Sequence, residues 1–87
     1  MTKQRTNRLA KDVLKKDDLI VVCGAGGFIG GSLIRYFARQ GFTNIRGVDK
    51  RPLTHWYQRT PGTECLCMDL SVEAHAQAAV RGAVEVY

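Results

Sequence analysis

Apolar residues form a short run near the start of the chain, and the pattern changes immediately after it. Residues 19–22 are all apolar and Cys23 follows them, which is typical of a strand buried on both faces of a sheet. A glycine-rich stretch comes next, after which Ile29, Leu33 and Phe37 recur four residues apart. That spacing predicts a helix with one apolar stripe. The pattern therefore predicts a strand, a glycine turn and a helix in succession.

The rest of the chain continues the alternation of strands and helices. Residues 44–49 have the character of a short strand that ends in Asp49, and residues 64–68 that of another, which is followed by Asp69-Leu70. Ser71 is placed to cap a helix over residues 72–80, which Gly82 would stop, and residues 83–87 form a fourth strand. The order predicts an α/β fold with a parallel sheet and helical crossovers.

The connection between the second and third strands is too short for the usual crossover helix. Pro52 and Pro61 bracket it, which leaves room for one helical turn over residues 54–58. Trp56 and Tyr57 in this turn are expected to cover the sheet where a longer helix would otherwise lie.

The spacing of the glycines after the first strand is typical of a dinucleotide-binding turn. Gly24, Gly27 and Gly30 follow the order G-x-x-G-x-x-G, with Gly26 as an extra. We expect Gly24 to adopt a left-handed backbone conformation and Gly27 to leave space for a diphosphate. Gly30 would let the helix pack closely on its strand. A tight turn that binds no ligand is the alternative for this motif alone.

Asp49 ends the second strand about 20 residues past the glycine turn, where dinucleotide folds place a carboxylate. A carboxylate accepts hydrogen bonds from both ribose hydroxyls and repels a 2′-phosphate, so Asp49 favours NAD over NADP. Lys50 and Arg51 instead favour NADP, because an arginine at this position accommodates the 2′-phosphate. Asp49 taken alone is also compatible with a turn residue or a helix cap.

Three motifs together resemble one known family. The heptapeptide GAGGFIG at residues 24–30, Asp49 and the pair Asp69-Leu70 are similar to the start of the extended short-chain dehydrogenases/reductases. The narrower resemblance is to the NAD-dependent epimerases and dehydratases that act on nucleotide sugars. It implies a Rossmann-type parallel sheet with helical crossovers, of which this chain holds only the first half.

The resemblance also implies roles for individual residues. The backbone of Phe28 and Ile29 would meet the diphosphate, Asp49 would hold the adenosine ribose, and Asp69 would accept a hydrogen bond from the adenine. For Asp69 alone, an acid at a helix entry remains the alternative. The predicted cofactor-binding set is Gly24, Gly27, Phe28, Ile29, Gly30, Asp49, Lys50, Asp69 and Leu70.

The family's catalytic pair, Tyr-x-x-x-Lys, has no counterpart in the sequence. Tyr36 is followed at the matching offset by Gln40 and Tyr57 by Pro61, while no residue follows Tyr87. We therefore predict no catalytic residue in this chain. It is expected to be the N-terminal fragment of a longer, homodimeric enzyme and to be inactive alone. Residues 1–18 would be a basic extension and residues 19–87 the first part of an NAD(P)-binding Rossmann domain.

Composition limits the other classes of function. The 87 residues carry a formal net charge of +5, and much of the excess lies in the basic extension. This extension has no aromatic residue for base stacking, so nucleic acid is not expected as a partner. No apolar run reaches membrane-spanning length, and a cytoplasmic location is expected. Cys23, Cys65 and Cys67 are interpreted as buried, reduced thiols, and no metal site is predicted.

Three hypotheses follow. The first is the NAD-binding part of a nucleotide-sugar epimerase or dehydratase, which transfers hydride to and from enzyme-bound NAD in the complete protein. The second is a non-catalytic module that binds or senses a dinucleotide. The third is an unrelated nucleotide-binding protein, such as a methyltransferase, with a similar glycine turn.

Overall fold

The computed structural model describes residues 14–87. Most of the predicted basic extension, residues 1–13, lies outside the described residues. The elements in chain order are β1 (Ile20–Cys23), α1 (Phe28–Arg39), β2 (Ile45–Asp49), a 3₁₀ turn (Leu53–His55), β3 (Glu64–Cys67), α2 (Glu73–Val80) and β4 (Glu85–Val86). The predicted α/β order of strands and helices is confirmed.

The four strands form one parallel sheet in the order β3-β2-β1-β4. Ile20 of β1 lies between Ile45 of β2 and Glu85 of β4. The chain thus builds outward from β1 to β2 and β3 on one side and then crosses to place β4 on the other. This is the strand order of the first half of a Rossmann-type sheet, as predicted.

Alternating residues of β1 support two separate cores on the two faces of the sheet. Ile20 and Val22 face α1, whereas Leu19 and Val21 face α2, in keeping with the two-residue period of a strand. The core on the α1 side contains Ile20, Val22, Ala25, Ile34, Phe37, Ile45 and Trp56. The smaller core on the α2 side contains Leu19, Val21, Val48 and Ala79.

The buried face of α1 differs from the predicted stripe. Ile29 is 80% exposed, and the buried residues of the helix are Gly31, Ile34 and Phe37. In the predicted stripe, Phe37 is buried and Leu33 packs against the core, so the stripe fails to pack on the core only at Ile29. The reason is the position of the first helical turn, which lies against the glycine turn at Gly24 and Ala25 rather than over the sheet.

The start of the second helix also differs from the prediction. Val72 is the N-cap, with no side-chain hydrogen bond, and α2 begins at Glu73. Ser71 does not cap the helix because its hydroxyl donates to Oδ1 of Asp69 at 2.7 Å. Gly82 follows the end of α2 with a φ of +81°, as expected of a helix stop.

The connection after β2 contains the single short helical turn that Pro52 and Pro61 predict. Its two aromatic residues have different environments. Trp56 is only 8% exposed and belongs to the core on the α1 side, which confirms that it covers the sheet. Tyr57 is 65% exposed, so the same prediction is wrong for Tyr57, whose ring instead meets Phe28 edge-on with 5.1 Å between ring centroids.

Gly30 is the position where α1 tolerates no side chain. A Cβ there would overlap the carbonyl oxygen of Gly24 and would lie 2.8 Å from its carbonyl carbon. We predict that Gly30→Ala lowers the free energy of unfolding by about 1–3 kcal/mol, because the backbone of the turn must move. Chemical denaturation of the two proteins measures the difference.

Gly31→Ala is the matched control for this substitution in the same helix. Its Cβ would approach mainly the side chain of Gln58, 2.9 Å from Cγ, and this side chain is free to shift. The gain in helix propensity, about 1 kcal/mol, opposes the small packing cost. Equal destabilisation by the two substitutions would contradict the role assigned to Gly30.

Candidate cofactor-binding site

The sheet places a crevice at the carboxyl end of β1. The chain leaves β1 toward β2 on one side, and β4 joins on the other side, so the strand order reverses at this point. In open parallel sheets, ligands bind outside the carboxyl ends of the strands at such a switch point. Gly24, the first residue after β1, stands at the switch point.

The glycine turn has the conformation predicted from its spacing. Gly24 has a φ of +69°, which L side chains rarely adopt, and its carbonyl accepts the N–H of Gly27 at 3.1 Å. Gly27 is the N-cap of α1 and has no side chain to cap the helix. The first N–H groups of a helix have no partner within it, so those of Phe28 and Ile29 are available to an anion.

Asp49 connects the end of β2 to this turn. The residue is 7% exposed, and its Oδ2 accepts the backbone N–H of Gly26 at 2.9 Å. Oδ2 also accepts from the Arg51 guanidinium at 2.9 Å, and Oδ1 accepts the backbone N–H of Arg51 at 2.9 Å. Three donors therefore satisfy the buried carboxylate, and one of them belongs to the glycine turn.

Gly26 is a required part of the turn that sequence reasoning missed. A Cβ on Gly26 would lie 2.9 Å from Cδ1 of Trp56 and 3.0 Å from the Asp49 carboxylate. Its carbonyl accepts the N–H of Tyr57 at 2.9 Å. Both polar backbone groups of Gly26 are thus bonded to segments distant in sequence. The only sequence signal for this role is the glycine itself, beyond the three that the spacing requires.

A cleft of about 310 Å³ lies between the ends of β1, β2 and β3. It brings together five of the predicted residues, and four others of the predicted set lie outside its lining, at the start of α1. The lining residues are Gly24, Val48, Asp49, Lys50, Arg51, Met68, Asp69, Leu70 and Ser71.

Asp69 lies in the cleft as the acceptor of a tight turn before α2. Its Oδ1 accepts the hydroxyl of Ser71 at 2.7 Å and the backbone N–H of Ser71 at 3.0 Å. These two hydrogen bonds lower the pKa of Asp69, and the charge of Lys50 acts in the same direction. The backbone N–H of Asp69 donates to Nδ1 of His75 at 3.2 Å, a contact with no signal in the sequence.

The cysteines differ in part from their prediction. Cys23 and Cys65 are half-buried, whereas Cys67 is exposed, so the expectation of burial is wrong for Cys67. Cys67 lies at the end of the edge strand β3, where its Sγ donates to the carbonyl of Lys50 at 3.5 Å. All three are free thiols, and burial raises the pKa of Cys65. Within residues 14–87, no three His, Cys, Asp or Glu side chains come together in a metal-binding group.

The sequence of the chain decides its family. Residues 21–87 match the 3-beta hydroxysteroid dehydrogenase/isomerase family. The chain belongs to this family. The match confirms the resemblance to the extended short-chain dehydrogenases/reductases that the glycine heptapeptide and the two acids carry.

One solved structure has the same fold over most of the chain. It is a short-chain dehydrogenase/reductase superfamily protein from Agrobacterium tumefaciens, crystallised with bound NAD, and it is 26% identical to the chain with a TM-score of 0.63. The match covers 78% of the chain and 19% of that protein. No curated protein matches the sequence. Among the described residues, no helix is long and apolar enough to cross a membrane.

We predict that Ser71→Ala raises the pKa of Asp69 toward the usual aspartate value, because it removes the shorter of the two hydrogen bonds to Oδ1. An NMR pH titration of the Asp69 carboxyl carbon measures the change. The pKa of Asp69 is lower in the folded protein than in the unfolded chain. The turn therefore contributes its full stability at pH values above the usual aspartate pKa, and this contribution is lost as the pH falls through the lowered pKa. Ser32→Ala, on α1, is the control, and an unchanged Asp69 pKa in Ser71→Ala would contradict the assignment.

Proposed function

We propose that this chain binds the adenosine diphosphate half of NAD and forms the N-terminal part of an NAD-dependent enzyme. One observation carries the proposal. The buried carboxylate of Asp49 is bonded to the glycine turn through Gly26, at the switch point of a parallel sheet and beside the Asp69-Leu70 segment. Family membership and the NAD-bound structure from Agrobacterium tumefaciens support it.

The surroundings of Gly27 support a diphosphate site at the start of α1. A Cβ on Gly27 would meet the Gly24 carbonyl oxygen and an Arg51 guanidinium nitrogen at 3.5 Å, which is ordinary contact. The packing of the described residues therefore gives no reason for a glycine at this position. A ligand that approaches the backbone here supplies one, with the N–H groups of Phe28 and Ile29 as its donors.

The bonding of Asp49 supports a ribose site in the cleft. Oδ2 accepts two hydrogen bonds and Oδ1 accepts one, so Oδ1 retains capacity for a hydroxyl. The guanidinium of Arg51 is half-exposed, with 50% relative exposure against 6% for the Asp49 side chain, and is free to leave Oδ2 for a second hydroxyl. Lys50, Asp69 and Leu70 line the same cleft and would border the adenosine.

The cofactor is proposed to be NAD rather than NADP. A 2′-phosphate beside Asp49 would bring two negative charges together at a nearly buried position, which is unfavourable. The ion pair between Arg51 and Asp49, 2.9 Å from Nη1 to Oδ2, offsets part of this repulsion. We therefore expect a preference for NAD that is modest rather than absolute.

The complete protein is proposed to exchange hydride between NAD and a substrate carbon that bears a secondary hydroxyl. The bound nicotinamide would supply the hydride chemistry, and this chain would contribute binding and orientation of the cofactor. The resemblance to the NAD-dependent epimerases and dehydratases favours action on a nucleotide sugar, by a protein that we expect to be a cytoplasmic homodimer. The family match favours a second candidate, a dehydrogenase/isomerase for a 3β-hydroxysteroid. A dinucleotide-sensing module without catalysis is the alternative.

We predict that Asp49→Ala weakens binding of NAD to the complete protein by about 1–3 kcal/mol, because it removes hydrogen bonds to a charged acceptor. Isothermal titration calorimetry measures the affinity. Asp17→Ala, an exposed carboxylate outside the cleft, is the control and should bind NAD as the wild type does. The same titrations with NADP should give a smaller loss for Asp49→Ala, and unchanged NAD affinity would exclude the ribose contact.

Gly27→Val tests the diphosphate site separately. The Cβ of the added side chain makes only ordinary contacts with the described residues, and the side chain occupies the space above the first turn of α1. We expect binding of NAD to fall more than in Asp49→Ala, while the melting temperature changes little. Undiminished NAD binding by the folded variant would refute the placement of the diphosphate.

The two substrate candidates are separated by assay of the complete protein. Conversion of each nucleotide sugar in a panel is followed by chromatography, because an epimerase or dehydratase returns the hydride and leaves no net NADH. Oxidation of 3β-hydroxysteroids is followed by the formation of NADH. Turnover of one class alone identifies it. Tight binding of NAD with no turnover of either class would favour the dinucleotide-sensing module.

A further inference from the structure

The connection after β2 does more than cover the sheet. One of its residues is hydrogen-bonded to the glycine turn, and another packs beside that turn. The backbone N–H of Tyr57 donates to the carbonyl of Gly26 at 2.9 Å. Cδ1 of Trp56 lies where a side chain on Gly26 would begin, 2.9 Å from a Cβ at that position. The glycine turn of the candidate site is thus held in place by a segment about 30 residues later in the chain.

Trp56 also holds Arg51, which follows Asp49 in the chain with Lys50 between them. Its indole N–H donates to the carbonyl oxygen of Arg51 at 2.9 Å. The backbone N–H of Arg51 in turn donates to Oδ1 of Asp49 at 2.9 Å. Both polar backbone groups of Arg51 are therefore engaged, one with the indole and one with the carboxylate.

These contacts surround the Asp49 carboxylate and connect the residues that hold it. Gly26 donates to one oxygen of Asp49, Arg51 donates to the other, and Trp56 contacts both Gly26 and Arg51. A carboxylate held on two sides has a fixed orientation before a ligand arrives. Groups oriented in advance bind more tightly because less conformational freedom is lost on binding.

We infer that Trp56 is a positioning residue for the dinucleotide: its indole N–H, through the Arg51 peptide, orients the Asp49 carboxylate toward the ribose. The inference rests on the proposed function, since it concerns the same cleft. Trp56 is 8% exposed and is not among the residues that line the cleft. Its effect on affinity acts entirely through Asp49.

A covering role and a positioning role make different demands on the side chain. To cover the sheet, Trp56 needs only its rings, which pack with Ala25 and Ile34 in the core on the α1 side. To hold the Arg51 carbonyl it also needs the N–H. Trp56→Phe keeps an aromatic ring and removes the donor. Replacement of Trp56 by 3-benzothienylalanine keeps the bicyclic shape and removes only the N–H.

The test is a double-substitution cycle on the complete protein, with NAD affinity measured by calorimetry. Loss of one hydrogen bond that orients a charged acceptor should weaken NAD binding about fivefold in Trp56→Phe and in the benzothienyl protein. In the Asp49→Ala background, the same replacements should produce no further loss. Tyr36→Phe, which removes the polar group of an exposed aromatic residue on α1, is the control and should bind as the wild type does.

Several outcomes would overturn the inference. Wild-type affinity in either Trp56 variant would show that the N–H does not matter. Losses that multiply in the combined variant would show that Trp56 affects NAD binding independently of Asp49. If Trp56→Phe does not fold, as judged by circular dichroism, the benzothienyl protein gives the result. Absence of NAD binding by the wild type would instead refute the proposed function and is distinct from these outcomes.

Discussion

The hydrogen bond from the Gly26 N–H to the buried Asp49 carboxylate is the interaction on which the cleft depends. It joins the end of β2 to the turn after β1 and so fixes the relative position of the two strand ends that border the ligand. A buried carboxylate without partners would be costly, and three N–H donors remove that cost. The turn and the carboxylate consequently hold each other in place, and neither has its present geometry without the other.

Much of this arrangement follows from the sequence because it depends on local rules. Neighbouring residues determine the apolar strand before Gly24 and the positive φ of this glycine. They also determine the close packing of α1 on the turn, which the missing side chain of Gly30 permits. The strand order follows from the resemblance to a Rossmann-type sheet, because alternating strands and helices with right-handed crossovers also fit other parallel orders. Asp49 was located by its distance from the glycine turn and Asp69 by the family resemblance, and both line the cleft.

The features that escaped prediction involve contacts between distant segments. Gly26 was an extra glycine in the sequence, and its need becomes visible only when Trp56 and Asp49 are both packed against it. Ile29 fits the helical period, but the first turn of α1 extends beyond the sheet, which leaves this residue exposed. Ser71 has the chemistry of a cap, yet Asp69 lies two residues earlier and competes successfully for its hydroxyl. Periodicity and capping rules carry no information on such competition.

The crystal structure of the complete protein with NAD tests the central claim most directly. The account predicts both adenosine ribose hydroxyls within hydrogen-bond distance of the Asp49 carboxylate. The Gly26 N–H should still donate to Oδ2, and the guanidinium of Arg51 should have moved away from that oxygen. A ribose bound elsewhere, with the ion pair between Arg51 and Asp49 intact, would contradict the account.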